Sequence, residues 1–170
     1  MTSLHTNTRR LLAVALSTRG FGFAVLEGDK LVDWGVKSIS KNKNSRTLAK
    51  VTELLSLYRP TLFVLEDPDS ARRATRIRKL HTQLLALAKQ HKVNVKLLTR
   101  AKVRRAFLAD GEGTKHALAV LLAARFPKEL QTRLPPKRRP WMSEDYRMGI
   151  FDAVALAVAF LSASQDVAVD

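Results

Sequence analysis

Apolar runs separated by short polar or glycine-containing segments predict the strands of this chain. The first run, LLAVAL, is apolar without alternation, which is typical of a strand buried on both faces. Gly20 and Gly22 allow a tight turn into the second run, and an EGDK turn leads into the third. The predicted strands cover residues 11–16, 21–26, 31–38, 61–67 and 93–99. Short connections between the first three predict an antiparallel meander.

Apolar residues at three- and four-residue spacing predict the helices. Asn44 or Ser45 is the candidate N-cap of the first helix, which ends before Pro60. Ser70 is the candidate N-cap of a helix over about residues 71–91, and a short helix follows at 101–108. The last two predicted helices are one that Thr114 caps and that ends at Phe126, and one over about residues 144–163 with Ser143 as its cap. The last helix is apolar nearly all round, which indicates burial.

The order of these elements predicts the fold class. Three strands are followed by a helix, a strand, a helix, a strand and further helices. This order predicts an α/β fold with a five-stranded mixed sheet, in which crossover strands extend the antiparallel first three strands and helices flank the sheet. We expect residues 10–165 to form a single domain and the polar residues 1–9 to form a flexible N-terminal arm.

The charge of the chain indicates a polyanionic partner. Thirty Lys and Arg against 15 Asp and Glu give a net charge of +15 and a pI of about 10.8, which favours nucleic acid. A solvated basic surface is the alternative. The absence of cysteine excludes disulfides and cysteine-based zinc sites. The apolar stretch at 153–161 is shorter than the ~20 residues that span a bilayer, so we expect a cytoplasmic protein without a membrane partner.

Basic side chains cluster at several points along the chain, and each cluster is a candidate phosphate contact. The candidate nucleic-acid-binding residues are Arg19, Arg72, Arg73, Arg76, Lys79, Lys102, Arg104, Arg105, Lys137, Arg138 and Arg139. Trp141 lies beside the last cluster, where it would either stack on a base or pack against the final helix.

Two carboxylates are placed where a chemical site is expected. Glu66 ends the fourth strand, at the strand end where open α/β sheets carry their sites. Asp152 lies within the apolar segment GIFDAVALAVAFL, where a carboxylate must be paired, hydrogen-bonded or bound to metal. The alternatives are a solvated acid at position 66 and a salt bridge at position 152. Clustered carboxylates suit Mg²⁺ or Mn²⁺, but two are few for a two-ion site, and the first strand is the natural place for a third.

Four segments, in this order, carry a family resemblance. They are LAVALSTRGFGFAV, LFVLED, GEGTKHALAVLLAARF and MGIFDAVALAVAF. They resemble the motifs of the RuvC family of Holliday-junction resolvases, within the RNase H-like superfamily, over roughly residues 11–162. The resemblance implies that Glu66 and Asp152 are catalytic metal ligands for Mg²⁺ or Mn²⁺ and that Lys115 contacts the scissile phosphate.

The chain departs from the family pattern at two positions. Ala15 stands where the family has its first-strand Asp, the ligand that both metal ions share. Gly149 stands where the family often has a further Asp or His. Asp145 lies seven residues before Asp152, about 10.5 Å along a helix, which is too far to share one ion site. The present chain is therefore expected to bind metal weakly and to cut DNA poorly or not at all.

The resemblance implies a homodimeric, metal-dependent endonuclease that hydrolyses branched DNA. Three alternatives remain open at Ala15 and around it. In the first, the chain is a non-catalytic nucleic-acid-binding protein. In the second, Ala15 replaces the Asp of an active parent protein, and the intact turn from Thr18 to Gly22 favours this alternative. The same turn also resembles RuvC-like proteins implicated in ribosomal RNA processing, although Glu66 fits the resolvases better.

Overall fold

A computed structural model describes residues 9–70, 73–108 and 113–166. Its strands are β1 (Arg10–Ser17), β2 (Gly20–Glu27), β3 (Lys30–Ser38), β4 (Leu62–Glu66) and β5 (Asn94–Leu98). They form a five-stranded sheet in the order β3-β2-β1-β4-β5. The first three strands pair antiparallel, and β1, β4 and β5 run parallel. The predicted fold class is therefore confirmed; of the expected N-terminal arm, residues 1–8 lie outside the described part of the chain.

Helices cover both faces of the sheet. They are α1 (Lys43–Tyr58), α2 (Thr75–Gln90), α3 (Arg100–Phe107), α4 (Lys115–Arg125), α5 (Pro127–Leu130) and α6 (Met148–Asp166). Thr114 caps α4 as predicted, because its hydroxyl accepts a hydrogen bond from the Ala117 N–H at 3.0 Å. Among the described residues, no helix is long and apolar enough to cross a membrane.

Helix α2 begins at Thr75, four residues later than predicted. Ser70 is not its N-cap, because the chain after β4 first forms a 3-10 turn at Pro68–Ser70. Ala74 occupies the N-cap position and provides no side-chain cap. The apolar spacing within the helix could predict its existence but could not locate the turn that precedes it.

Helix α6 also begins later than predicted, at Met148, and Ser143 is not its cap. The Asp145 side chain accepts hydrogen bonds from the Arg147 backbone N–H at 2.9 Å and from the Arg147 guanidinium. The Met148 N–H in turn donates to the Asp145 carbonyl at 3.0 Å, which is a three-residue turn. These local hydrogen bonds compete with helix formation, so residues 144–147 form the approach to α6 instead of its first turn.

Alternation along the strands divides the core into two layers. In β1, Leu11 and Ala13 pack against α6, whereas Leu12 and Val14 pack against the helices of the opposite face. In β4, Val64 faces the α6 layer. Because side chains alternate along a strand, positions 15 and 66 also face α6, and this parity places the sequence-predicted site residues on one side of the sheet.

A backbone contact between two glycines sets the depth of α6. A Cβ placed at Gly22 in β2 would lie 1.9 Å from the Gly149 carbonyl oxygen. Only glycine at position 22 therefore allows this end of α6 to approach the sheet so closely. Asp152 lies one helical turn further along α6, so the same contact positions its carboxylate.

Candidate active site

The C-terminal ends of β1 and β4 open into a cleft of about 470 Å³. Ala15, Glu66, Lys115 and Asp152, which are the four positions singled out from the sequence, all line this cleft. Strand ends in open α/β sheets are the usual location of a site. The geometry brings the four positions together, and their catalytic roles remain predictions.

Ala15 stands directly beside Glu66. Residues 11–14 of β1 pair with residues 62–65 of β4 in parallel register, and the same register continued by one residue sets Ala15 opposite Glu66. Neighbouring strands lie about 4.8 Å apart. On the other side, Ala15 pairs with Gly22. A carboxylate at position 15 would therefore project into the cleft next to Glu66.

Glu66 is held by two arginines. Its side chain is 19 % exposed, and its two oxygens accept hydrogen bonds from the guanidinium groups of Arg73 and Arg100, the latter at 2.5 Å. Arg73 is also a predicted phosphate contact, and in the structure its guanidinium pairs with Glu66. Arg100 precedes the predicted 101–108 helix in the sequence and begins α3 in the structure. The carboxylate of Glu66, which the family resemblance implies is a metal ligand, is thus already paired with two positive charges of the same chain.

Asp152 and Glu144 share Lys115. The Lys115 ammonium lies 3.4 Å from an Asp152 oxygen and 3.0 Å from a Glu144 oxygen. Burial raises the pKa of Asp152, although Lys115 opposes the shift. Burial lowers the pKa of Lys115, but the two carboxylates more than offset this and raise it overall. The alternative of a salt bridge at Asp152, left open from the sequence, is the arrangement observed.

Glu144 is a site residue that the sequence reasoning missed. The sequence predicts it as the first residue of the last helix and not as a site residue. Because α6 begins at Met148, Glu144 lies in the approach segment, and the Arg19 guanidinium donates to its carbonyl at 3.1 Å. An acid just before an apolar helix, in a chain with only 15 acids, was the available signal.

Asp145 also lies before α6, so the distance along a helix does not describe its position. Its carboxylate is engaged by Arg147, with a guanidinium contact at 2.8 Å. The hydrogen bonds from Arg147 hold the pKa of Asp145 below its usual value. Asp145 lines the cleft but is paired within its own segment.

The donors present do not fit a two-ion metal site. Within the described ranges, no group of three or more His, Cys, Asp or Glu side chains is placed to hold a metal. Position 15 supplies no side-chain oxygen, and Gly149 supplies none either. Glu66 and Asp152 are each paired with basic side chains. Hard divalent cations need several oxygen ligands, and this set falls short.

The predicted nucleic-acid-binding residues are distributed around the cleft and beyond it. Arg19 and Arg104 line the cleft. Arg76 donates to the Asn44 side chain at 2.9 Å, so it also ties α2 to α1. The members that lie outside the cleft lining and are exposed are Lys79, Lys102, Arg105, Lys137, Arg138 and Arg139. Arg72 lies outside the described residues.

Comparisons with known proteins identify the fold. No protein-family model and no curated protein matches the chain. Thermus thermophilus RuvC aligns over 92 % of this chain and 95 % of its own, with a TM-score of 0.66 at 20 % identity. The same protein in complex with Holliday-junction substrate gives 0.65. The fowlpox virus Holliday-junction resolvase gives 0.56 at 14 % identity, over 91 % of this chain and 99 % of its own.

The sheet order and the flanking helices are those of an α/β protein with the RNase H-like fold. More particularly, the chain has the fold of the RuvC-type Holliday-junction resolvases, over nearly its whole length and nearly theirs.

Proposed function

We propose that the chain is a RuvC-like protein that binds branched DNA and that its endonuclease activity is impaired by Ala15. The observation that carries the proposal is the position of Ala15, which lies beside Glu66 in the cleft that Asp152 also lines. A carboxylate at this point would complete a cluster of three acids. Without it, the cleft keeps the carboxylates of Glu66 and Asp152 and lacks the oxygen donor of position 15.

The basic residues of the cleft support DNA binding by the chain as it stands. Among the described residues, six basic side chains and four acidic side chains line the cleft, which leaves it with excess positive charge. Arg100 and Lys115 are about half exposed, so they can contact a phosphate oxygen without leaving their carboxylates. Because these cations already balance Glu66 and Asp152, we expect junction binding to be equally strong in EDTA and in Mg²⁺ at matched ionic strength.

We expect a divalent metal to bind in the cleft once position 15 carries a carboxylate. An Ala15→Asp variant would offer three carboxylates, from positions 15, 66 and 152, and such a set suits Mg²⁺ or Mn²⁺. When bound, the metal would supply the Lewis acidity for phosphodiester hydrolysis. In the chain as written, Glu66 and Asp152 hold Arg73, Arg100 and Lys115 in place, and these side chains orient the backbone of the DNA.

The test is the Ala15→Asp variant, with Ala15→Asn as the control of equal size without charge. A labelled four-way junction and a linear duplex of the same sequence are incubated with each protein in Mg²⁺, Mn²⁺ or EDTA. We expect Ala15→Asp to cut the junction only with metal. We expect Ala15→Asn and the unsubstituted chain, which carries Ala15, to bind the junction without cutting it.

Two results would contradict the proposal. If the unsubstituted chain cut the junction as fast as Ala15→Asp does, Ala15 would not impair activity. Absence of cutting by Ala15→Asp, with all three proteins still bound to the junction, would favour the second candidate, a non-catalytic nucleic-acid-binding protein. The ion pairs at Glu66 and Asp152 are the specific observation that favours this candidate.

We further propose that the protein acts as a cytoplasmic homodimer, with one site for each of two strands of a junction. The absence of cysteine supports a reducing compartment. Sedimentation of the chain with and without a four-way junction measures the stoichiometry, and a single chain on each junction would contradict the dimer.

A further inference from the structure

The segment that joins α5 to α6 carries a group of exposed apolar side chains. Trp141 is 76 % exposed, Tyr146 57 % and Met142 46 %. The alternative that Trp141 packs against the final helix, left open from the sequence, is therefore wrong. An exposed tryptophan offers a large, flat apolar surface, and a cluster of such residues indicates a binding surface.

The charges around Trp141 indicate the chemistry of its partner. The Arg139 guanidinium lies over the indole ring, 5.6 Å from the ring centroid. Lys137 and Arg138 directly precede Arg139 in the sequence and are exposed. A flat ring with one guanidinium over it, in a segment that carries two more exposed basic residues, complements a partner with flat rings and negative charge, which is the combination that nucleic acid presents.

The segment is fixed to the cleft on its α6 side. Glu144 binds the Lys115 ammonium and accepts from Arg19 through its carbonyl. Trp141 precedes Glu144 by three residues, so their Cα atoms lie within about 11 Å of each other. Successive phosphates of one strand are spaced by about 3.4 Å along a duplex. A strand whose phosphate lies in the cleft can therefore bring a base within a few steps of that phosphate to the indole ring.

We propose that Trp141 stacks on an exposed base at the branch point of the DNA. Bases at a branch point present a free face, whereas bases within a linear duplex must first be unstacked at a cost of a few kcal/mol. Stacking by Trp141 therefore selects branched over linear DNA, while the cleft and the basic clusters bind both through their phosphates. This inference rests on the proposed function and names the residue that recognises the branch.

The test compares Trp141→Ala, Trp141→Phe and the control Leu57→Ala. Leu57 is an equally exposed apolar residue, at 68 %, on α1 on the opposite face of the sheet. Binding is measured to a four-way junction with 2-aminopurine at the branch point and to a linear duplex of the same sequence. Melting temperatures and sedimentation of the free proteins confirm folding and oligomeric state.

We expect Trp141→Ala to weaken junction binding roughly 5- to 150-fold, the range that loss of one stacked base implies. Duplex binding should be unchanged, and the fluorescence change of the 2-aminopurine should be lost. Trp141→Phe should retain most of both signals, because phenylalanine also stacks, and Leu57→Ala should retain all of them.

Three results would overturn the stacking role. Equal losses on junction and duplex would make Trp141 a general contact, and an unchanged 2-aminopurine signal would exclude stacking at the branch. A change in oligomeric state with Trp141→Ala would assign the exposed cluster to a protein interface. In each case a wild-type preference for the junction leaves the proposed function intact, whereas wild-type binding without such a preference contradicts both.

Discussion

At the scale of single residues, two aspartates that line the cleft, Asp152 and Asp145, are predicted to have opposite effects on stability. Burial raises the pKa of Asp152, so its ionisation costs stability as the pH rises through the folded-state pKa. Asp152→Asn should therefore raise the melting temperature by a few degrees at pH 7. Lys115 keeps Glu144 as its partner in this variant, so no cation is left unpaired. The gain should disappear as the pH falls below the ordinary pKa of an aspartate, near 4.

Asp145→Asn is the matched variant with the opposite sign. The hydrogen bonds from Arg147 lower the pKa of Asp145, so its carboxylate stabilises the fold above the ordinary aspartate pKa, and this contribution is lost as the pH falls through the lowered pKa. The variant should lower the melting temperature at pH 7 and match the parent chain in strong acid. Thermal unfolding followed from pH 1.5 to pH 8 measures both variants. If both variants changed the melting temperature at pH 7 in the same direction, the directions of the two pKa shifts would be contradicted.

The residues of the site could be predicted in part from the sequence. Glu66 and Asp152 were visible because an acid after or within an apolar run is costly, and Ala15 was visible because a family motif surrounds it. The partners of Glu66 were not visible, since Arg73 and Arg100 lie 7 and 34 residues away along the chain. Glu144 was missed because the start of α6 was misplaced.

At the scale of secondary-structure elements, the contact between β2 and α6 gives a prediction from a pair of glycines. Gly22→Ala would place a Cβ 1.9 Å from a backbone oxygen of α6, so the helix must move away from the sheet. We expect a loss of about 1–3 kcal/mol of unfolding free energy, the usual cost of overpacking. Asp152 would move with the helix.

Gly149→Ala is the control on the other side of the same contact. A Cβ at this position meets its nearest neighbours at 3.4–3.5 Å, which is ordinary van der Waals distance. Replacing a helical glycine by alanine should add about 0.5–1 kcal/mol of stability. Chemical denaturation of both variants measures the pair, and destabilisation by Gly149→Ala equal to that by Gly22→Ala would show that the contact lacks this asymmetry.

The elements themselves could largely be predicted from the sequence, because the unbroken apolar runs of β1 and β4 and the three- and four-residue spacing in α1 and α2 are long-range signals. Their starting points could not be predicted equally well. Local hydrogen bonds decide where α2 and α6 begin, and several turn geometries suit the same polar residues. The predicted start of α6 is wrong by only a few residues, but for this reason Glu144 was not predicted as a site residue.

At the scale of the whole molecule, the net charge of +15 predicts steep salt dependence of DNA binding. Each phosphate that a basic side chain neutralises contributes about −0.9 to the slope of the logarithm of the association constant against the logarithm of salt concentration. Lys102 and Arg105 are exposed on α3, the helix that also brings Arg104 to the cleft. The double variant Lys102→Ala, Arg105→Ala should therefore reduce the slope by about 2.

The control for this variant is Lys30→Ala, which removes an exposed charge at the opposite end of the sheet. Lys30 begins β3 beside the turn that follows Glu27, whereas the cleft lies at the other end of β1 and β2. Both variants lower the net charge, but only the α3 variant removes charge next to the cleft. Fluorescence anisotropy with a four-way junction from 50 to 300 mM salt gives the slopes. If the loss of slope for each removed charge is equal in the two variants, the net charge of the protein governs binding. If only the α3 variant loses slope, the DNA contacts the end of the sheet that carries the cleft.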